Sequence, residues 1–349
     1  MGKYVIDGLF LTKRITGIQR FSYEICSELD KIVKKDEFEI LVPKRSNIKF
    51  DYKNIKIIEY GYTKGLLWEQ IDLLRYLRKE KKYGVFLCNV FPILLKEGFI
   101  VIHDVSYKAN PKFFKGLRNI LSMYWHRVNY YFATKNLLKI ASVSQFSKFE
   151  IAKYYGVPSK EITIVSNSYE HINRIIEDTK IFIKWGFLKK NNYYFAMSTI
   201  AENKNFKWIL NEAKHNPNLV FAIAGSNKQK HILNNAESLD NVHYLGYVSD
   251  EEAKALMHNC KAFIFPSLYE GFGIPPLEAL ASGCDSLILS DIPVLHEIYG
   301  DSINYIDPLN YCSTNINSNI KVNPKDILKN YSWAKSAATL YKTIVEETK

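Results

Sequence analysis

Along the chain, short apolar runs alternate with stretches whose apolar residues recur every three or four positions. Residues 4–10 (YVIDGLF), 38–42, 55–60, 85–88, 99–103, 138–143 and 162–165 read as strands. Helical spacing falls between them at 21–29, 66–77 and 148–155. The first of these helices follows a predicted turn, Thr16-Gly17-Ile18-Gln19-Arg20. The third is capped by Ser144-Gln145-Phe146-Ser147 and ended by Gly156-Val157-Pro158. A second series starts at 193–197 and continues through 219–224, 242–245, 263–265 and 286–289. Ser249 caps a helix over 250–259 whose first turn is acidic, and 325–347 reads as a terminal helix. Two successive βα series predict an α/β chain of two Rossmann-like doubly wound domains. The division is expected near 172, giving 1–172 and 173–325, with a C-terminal helix at 326–349.

The second series is organised around 263–283, FIFPSLYEGFGIPPLEALASG. A strand runs into the turn Tyr269-Glu270-Gly271-Phe272-Gly273, where glycine permits positive φ and close approach of a ligand. Pro275-Pro276 then starts a helix, and Gly283 suits its C′ position. A helix N-terminus beside such a turn suits a phosphorylated ligand. Two carboxylates frame it: Glu270 on the turn, and Glu278 expected in the first helical turn. A carboxylate accepts two neighbouring hydroxyls, as in the diols of a sugar or a ribose.

Other candidates sit where predicted strands end. Phe99–His103 closes on His103-Asp104, which points to a ligand cleft beyond the carboxyl edge of a sheet, or simply to a histidine bonded to its neighbour. Gly17 lies on the first loop, where a turn needs glycine in any case. Asn203 and Lys204 occupy the loop after 193–197, and Gly225, Tyr247 and Val248 the turns after the next two strands.

The 263–283 segment resembles the glutamate-pair motif of retaining GT-B glycosyltransferases of family 4. That resemblance implies two domains facing each other across a cleft, with the last helix crossing back onto the first. It implies transfer of a hexosyl group from a nucleotide diphosphate sugar, such as a GDP- or UDP-sugar, to an acceptor hydroxyl with retention of configuration. No metal or other cofactor is expected. On this resemblance Glu270 and the amides of Gly271, Phe272 and Gly273 hold the donor sugar, and Glu278 the ribose. Lys204, with Asn203 beside it and the Gly17 amide, takes the diphosphate charge, while His103 lines the site near the transferred sugar. Gly225, Tyr247 and Val248 lie against the nucleobase. The sequence departs from the family in carrying Asn203 where an arginine is common, and Ser166 and Ser168 in place of a proline and a glycine. A GT-B epimerase is an alternative, as is a basic membrane-binding protein without catalysis.

Charge adds an asymmetry. Residues 1–172 carry 29 Lys and Arg against 17 Asp and Glu, or +12 of the chain's net +11, so the remainder is close to neutral. The first half is therefore drawn to an anionic surface. Residues 107–135 mix aromatics with Lys108, Lys112, Lys115, Arg118 and Arg127. They read as an amphipathic helix on the core, or, in their basic opening, as a contact for a lipid-linked glycan acceptor on an anionic membrane. No nucleic-acid partner is expected. The opening MGKYVIDGLFLTKR does not read as a secretory signal, and five scattered cysteines read as reduced thiols. A cytoplasmic enzyme at the inner membrane face, making cell-surface polysaccharide such as O-antigen, is the expectation.

Overall fold

The computed structural model describes residues 3–48, 51–136, 138–225, 239–311, 316 and 320–347. It divides into two units, Met1–Asn167 with Ser332–Lys349, and Ser168–Tyr331. The first boundary falls five residues before the expected 172, and the second lies beyond 325. The expected terminal helix is therefore two: Pro324–Leu328 in the second unit and Trp333–Glu347 in the first.

The first unit is built on a parallel sheet in the order β3-β2-β1-β4-β5-β6-β7. Its strands are β1 Tyr4–Asp7, β2 Phe38–Val42, β3 Lys56–Glu59, β4 Tyr83–Phe86, β5 Phe99–Val101, β6 Lys139–Ser142 and β7 Thr163–Ile164. β1, β2 and β5 are buried at every position, as strands covered on both faces must be. The β5 strand ends at Val101, so His103 lies beyond its end. The segment expected as a turn before the first helix is itself helical: Gly17–Ile32 is continuous, with Thr16 as N-cap and Gly17 its first residue. Trp333 of the last helix is buried against this helix, its ring centroid 6.0 Å from that of Phe21. Ser336 Oγ donates to Ser166 O at 2.7 Å and Tyr341 to Glu37, which ties the returning helix to the first unit.

The second unit repeats the plan: β10-β9-β8-β11-β12-β13, all parallel. The strands are β8 Tyr193–Met197, β9 Val220–Ala224, β10 Val242–Gly246, β11 Ala262–Phe265, β12 Leu287–Ser290 and β13 Asn304–Ile306. In both sheets the order reverses between two adjacent strands, β1/β4 and β8/β11. Loops leaving such a pair diverge to opposite faces and open a crevice at the carboxyl edge. Four of the cysteines are free thiols, and Cys312 lies outside the described residues. No described helix is long and apolar enough to cross a membrane.

Candidate functional site

The β8/β11 reversal brings two candidate side chains together. The loop after β8 makes a helical turn at Glu202–Lys204, and the loop after β11 carries Glu270. Lys204 Nζ lies 2.5 Å from Glu270 Oε1, with both side chains mostly buried. The ammonium also sits 5.6 Å from the centre of the Phe265 ring. The two loops are joined through backbone as well: Leu268 N–H donates to Asn203 O at 2.8 Å. Asn205, held at φ 54°, donates from Nδ2 to Pro266 O and Pro308 O, and Tyr311 donates to its Oδ1. Asn203 thus contributes a carbonyl that positions the glutamate loop, and the neighbouring asparagine locks the lysine turn.

Gly273 ends the glutamate loop at φ 94°, and a Cβ there would come within 2.9 Å of Leu295 Cδ2. Only glycine enters the helix Ile274–Ala281 at this angle without displacing the core. Tyr299 donates to Gly273 O from below, and burial first of all pushes its phenol far above its usual pKa. Phe272 packs edge-on against Tyr331 at 5.3 Å. At the other end Gly283 N–H reaches Leu280 O and Cys284 N–H reaches Ala279 O, a Schellman closure.

Glu278 is the fifth residue of this helix, in its second turn and not the first as expected. At that place the helix dipole does little for its carboxylate, because that effect fades within one turn. Its environment is set instead by His171, a buried side chain on the short helix Glu170–Arg174. His171 Nε2 lies 2.9 Å from Glu278 Oε1. Lys254 Nζ donates to Ile172 O and Ile175 O, which fixes the end of that short helix. His171 was missed in the sequence because it follows the Ser166-Asn167-Ser168 turn with no periodic pattern around it. Its partner is 107 positions away.

Gly225, at the end of β9, has Ser198 O where its Cβ would be, at 1.7 Å. Its N–H donates to Gly246 O and its carbonyl accepts from Tyr244. The β8, β9 and β10 ends are therefore drawn tightly together, with Val248 buried and Tyr247 exposed just beyond. Ser226 lies outside the described residues.

In the first unit, Gly17 is exposed at the N-terminus of a 16-residue helix, so its place suits an anion better than the predicted turn did. His103 is buried; its N–H donates to Asn89 Oδ1 at 2.7 Å and its Nε2–H to Leu87 O at 2.9 Å. Burial holds its pKa below the usual imidazole value, and only Nδ1 remains to accept a hydrogen bond. Lys108 departs from the free basic loop that was expected. Its Nζ is engaged by Tyr154 O at 2.5 Å, at the C-terminal end of the helix Gln145–Tyr155, and lies over the Tyr155 ring. Lys112, Lys115 and Arg118 are exposed.

Two Rossmann-like units in succession, with a glutamate loop at the second reversal point, define a GT-B architecture. The fold is shared with Alr3699/HepE of Anabaena, solved with UDP-glucose, at a TM-score of 0.71 and 14% identity over 98% of this chain and 99% of that one. It is shared with WaaG, a glycosyltransferase involved in lipopolysaccharide biosynthesis, at a TM-score of 0.61 and 15% identity over 98% and 95%. The family model of group 1 glycosyl transferases matches residues 177–307. O-antigen chain mannosyltransferase RfbU of Salmonella typhimurium is 29% identical over 62% of this chain and 58% of its own length. O-antigen chain mannosyltransferase B of Escherichia coli is 24% identical over 84% of each.

Proposed function

We propose that the chain transfers a hexosyl residue, with mannose the first choice, from a nucleotide diphosphate sugar to a hydroxyl of a lipid-linked glycan. The reaction retains configuration, needs no metal, and builds a bacterial cell-surface polysaccharide. One observation carries the reading: Lys204 and Glu270 meet at the β8/β11 reversal, within the residues that the group 1 family model matches. A cation and a diol-binding carboxylate are the two groups a leaving diphosphate and its sugar require. In this reading Glu270 orients the sugar, Lys204 meets the charge that grows on the departing phosphate, and Glu278 holds the ribose. His103 accepts a sugar hydroxyl through Nδ1, and Gly17 offers its amide to the diphosphate. Gly225, Tyr247 and Val248 receive the base. Mannose is favoured by the names of the two O-antigen relatives. The acceptor meets the basic first unit at an anionic membrane face, with Lys112, Lys115 and Arg118 nearest it.

The test is nucleotide release from GDP-mannose, UDP-glucose and related donors in EDTA, with lipid-linked glycan as acceptor and product mass read afterwards. Release from one donor that depends on acceptor supports the proposal. Binding without preference among nucleotides, or activity abolished by EDTA and restored by a divalent ion, would overturn it.

A further inference from the structure

At the amino edge of the second sheet, opposite the edge that carries Glu270, two buried cysteines face each other. Cys260 follows the helix Asp250–Asn259 and leads into β11; Cys284 follows the helix Ile274–Ala281 and leads into β12. The two strands pair in parallel with Phe263 beside Leu287, and each cysteine stands three residues before its strand's member of that pair. The register thus sets the thiols side by side, with Cys260 Sγ donating to Cys284 Sγ at 3.6 Å. Both residues are at most 5% exposed. Their neighbours Gly283 and His258 are exposed, and a Cβ on Gly283 would stand 3.3 Å from His258 Cδ2. The pair therefore lies close beneath the surface, where a local opening at one helix end admits a small molecule.

The two sulfurs are not equivalent. The hydrogen bond from Cys260, offset by burial, holds the Cys284 thiol below its usual pKa. Burial pushes the Cys260 thiol well up. Cys284 is the sulfur that ionises first, and the thiolate is the nucleophile. We propose that Cys260 and Cys284 form a peroxide-sensitive pair, which a hydroperoxide closes reversibly into a disulfide. The Cys284 thiolate attacks one peroxide oxygen, the O–O bond breaks, and the hydroxide released takes up the thiol proton as water, leaving a sulfenic acid. Cys260 sulfur then attacks the sulfenic sulfur; the S–S bond forms, the S–O bond breaks, and the hydroxide leaves with the Cys260 proton as a second water. The two thiols lose two electrons and the peroxide gains them. The ring so closed runs from 260 to 284 and contains Glu270, Gly273 and Glu278. Closure brings the sulfurs from 3.6 Å to about 2.05 Å. Cys284 N–H is bonded to Ala279 O, the residue after Glu278, so the pull is passed to the helix that carries this carboxylate. The disulfide shifts Glu278 against His171 and, on the donor-binding reading above, weakens nucleotide binding.

Mass spectrometry tests the chemistry. The reduced protein is treated with hydrogen peroxide and digested at its glutamates, which leaves Cys260, Cys284 and Cys312 on three different peptides. The expected product is the Cys260 peptide joined to the Cys284 peptide, lighter by two hydrogens and separated again by dithiothreitol. Cys260→Ser should stop at a Cys284 sulfenic acid that dimedone traps, whereas Cys284→Ser should leave Cys260 unmodified. Two free thiols at a peroxide dose that oxidises the denatured chain would overturn the pair, as would sulfonic acids without any joined peptide. Calorimetry with UDP and GDP reads the consequence. Oxidised wild type should bind at least about threefold more weakly than reduced, with recovery on reduction, while Cys260→Ser/Cys284→Ser ignores peroxide. Equal affinities of the two forms would overturn the coupling to Glu278. A reduced protein that binds neither nucleotide sinks the transferase reading instead, and the joined peptide still decides the disulfide.

Discussion

His171 Nε2 stands 2.9 Å from Glu278 Oε1, and the histidine is almost wholly buried while the carboxylate is 14% exposed. The imidazole therefore occupies one carboxylate oxygen and fixes the plane of the group. The second oxygen and the remaining lone pair of the first are what a ribose diol can use. His171 is in this way a positioning residue for Glu278, one that the pairing of Glu270 with Glu278 in sequence does not disclose.

Glu278→Ala is expected to weaken nucleotide affinity about ten- to a hundredfold, the loss of a hydrogen bond to a charged acceptor. His171→Ala should weaken it about tenfold through misorientation, and His171→Gln, which can still donate to the carboxylate, should recover part of the loss. Isothermal calorimetry on both single variants and the double variant checks the linkage. If His171 acts through Glu278, the double variant loses little more than Glu278→Ala. Fully additive losses would assign the histidine an independent role.

Lys204→Met removes the cation beside Glu270 and leaves a mostly buried carboxylate without it. Charge on the leaving phosphate grows in the transition state, so turnover should fall about a hundredfold or more while the donor KM changes little. Lys204→Arg keeps the charge and should retain part of the rate. Steady-state kinetics with saturating donor reads the split. Turnover within about twofold of wild type would place the phosphate charge on another cation.

Much of this architecture was legible where one signal sufficed. Phe38–Val42, Tyr193–Met197 and the helix 250–259 were bounded correctly, because buried parallel strands are almost wholly apolar, with Glu39 the exception, and Ser249 with Glu252 forms a complete capping box. The Gly17 turn was misread because glycine signals a turn locally, whereas the Thr16 cap and the packing of Phe21 on Trp333 carry the helix back to residue 17. β13 escaped notice: Asn304–Ile306 is three residues long with a single buried position. The Lys204–Glu270 contact spans 66 positions and exists because β8 pairs with β11. Strand order, not local pattern, makes it, and only the family resemblance put both residues in one site. The orientation of the helix Leu117–Lys135 was hidden for another reason. Its apolar residues occupy both sides of the helix, and spacing alone does not tell which side meets the core.

The last prediction concerns a pair of acids at the reversal point of the first sheet. Asp7 ends β1, and its Oδ1 accepts from Leu9 N–H at 3.0 Å. Glu69 lies on the π-helical stretch Trp68–Leu73, a wide turn inside a helix that the apolar spacing of 66–77 did not reveal. The two side chains are buried, and each perturbs the titration of the other. Burial, offset in part by Leu9 N–H and Lys13, raises Asp7 to about 6. Burial and then the Asp7 charge raise Glu69 to about 8. Both folded values lie above the unfolded ones, which are near 4. The folded protein thus holds more protons than the unfolded chain across this window. Stability from the pair is whole below about pH 4 and is lost as pH rises through about 6 and then 8. Glu69→Gln keeps a donor towards Asp7 and removes the second titration. The variant should match the wild type near pH 5 and melt about 3 °C higher or more near pH 8.5. Thermal unfolding followed by circular dichroism across that range decides it. Parallel curves for the two proteins would mean that the pair does not share a proton in the folded state.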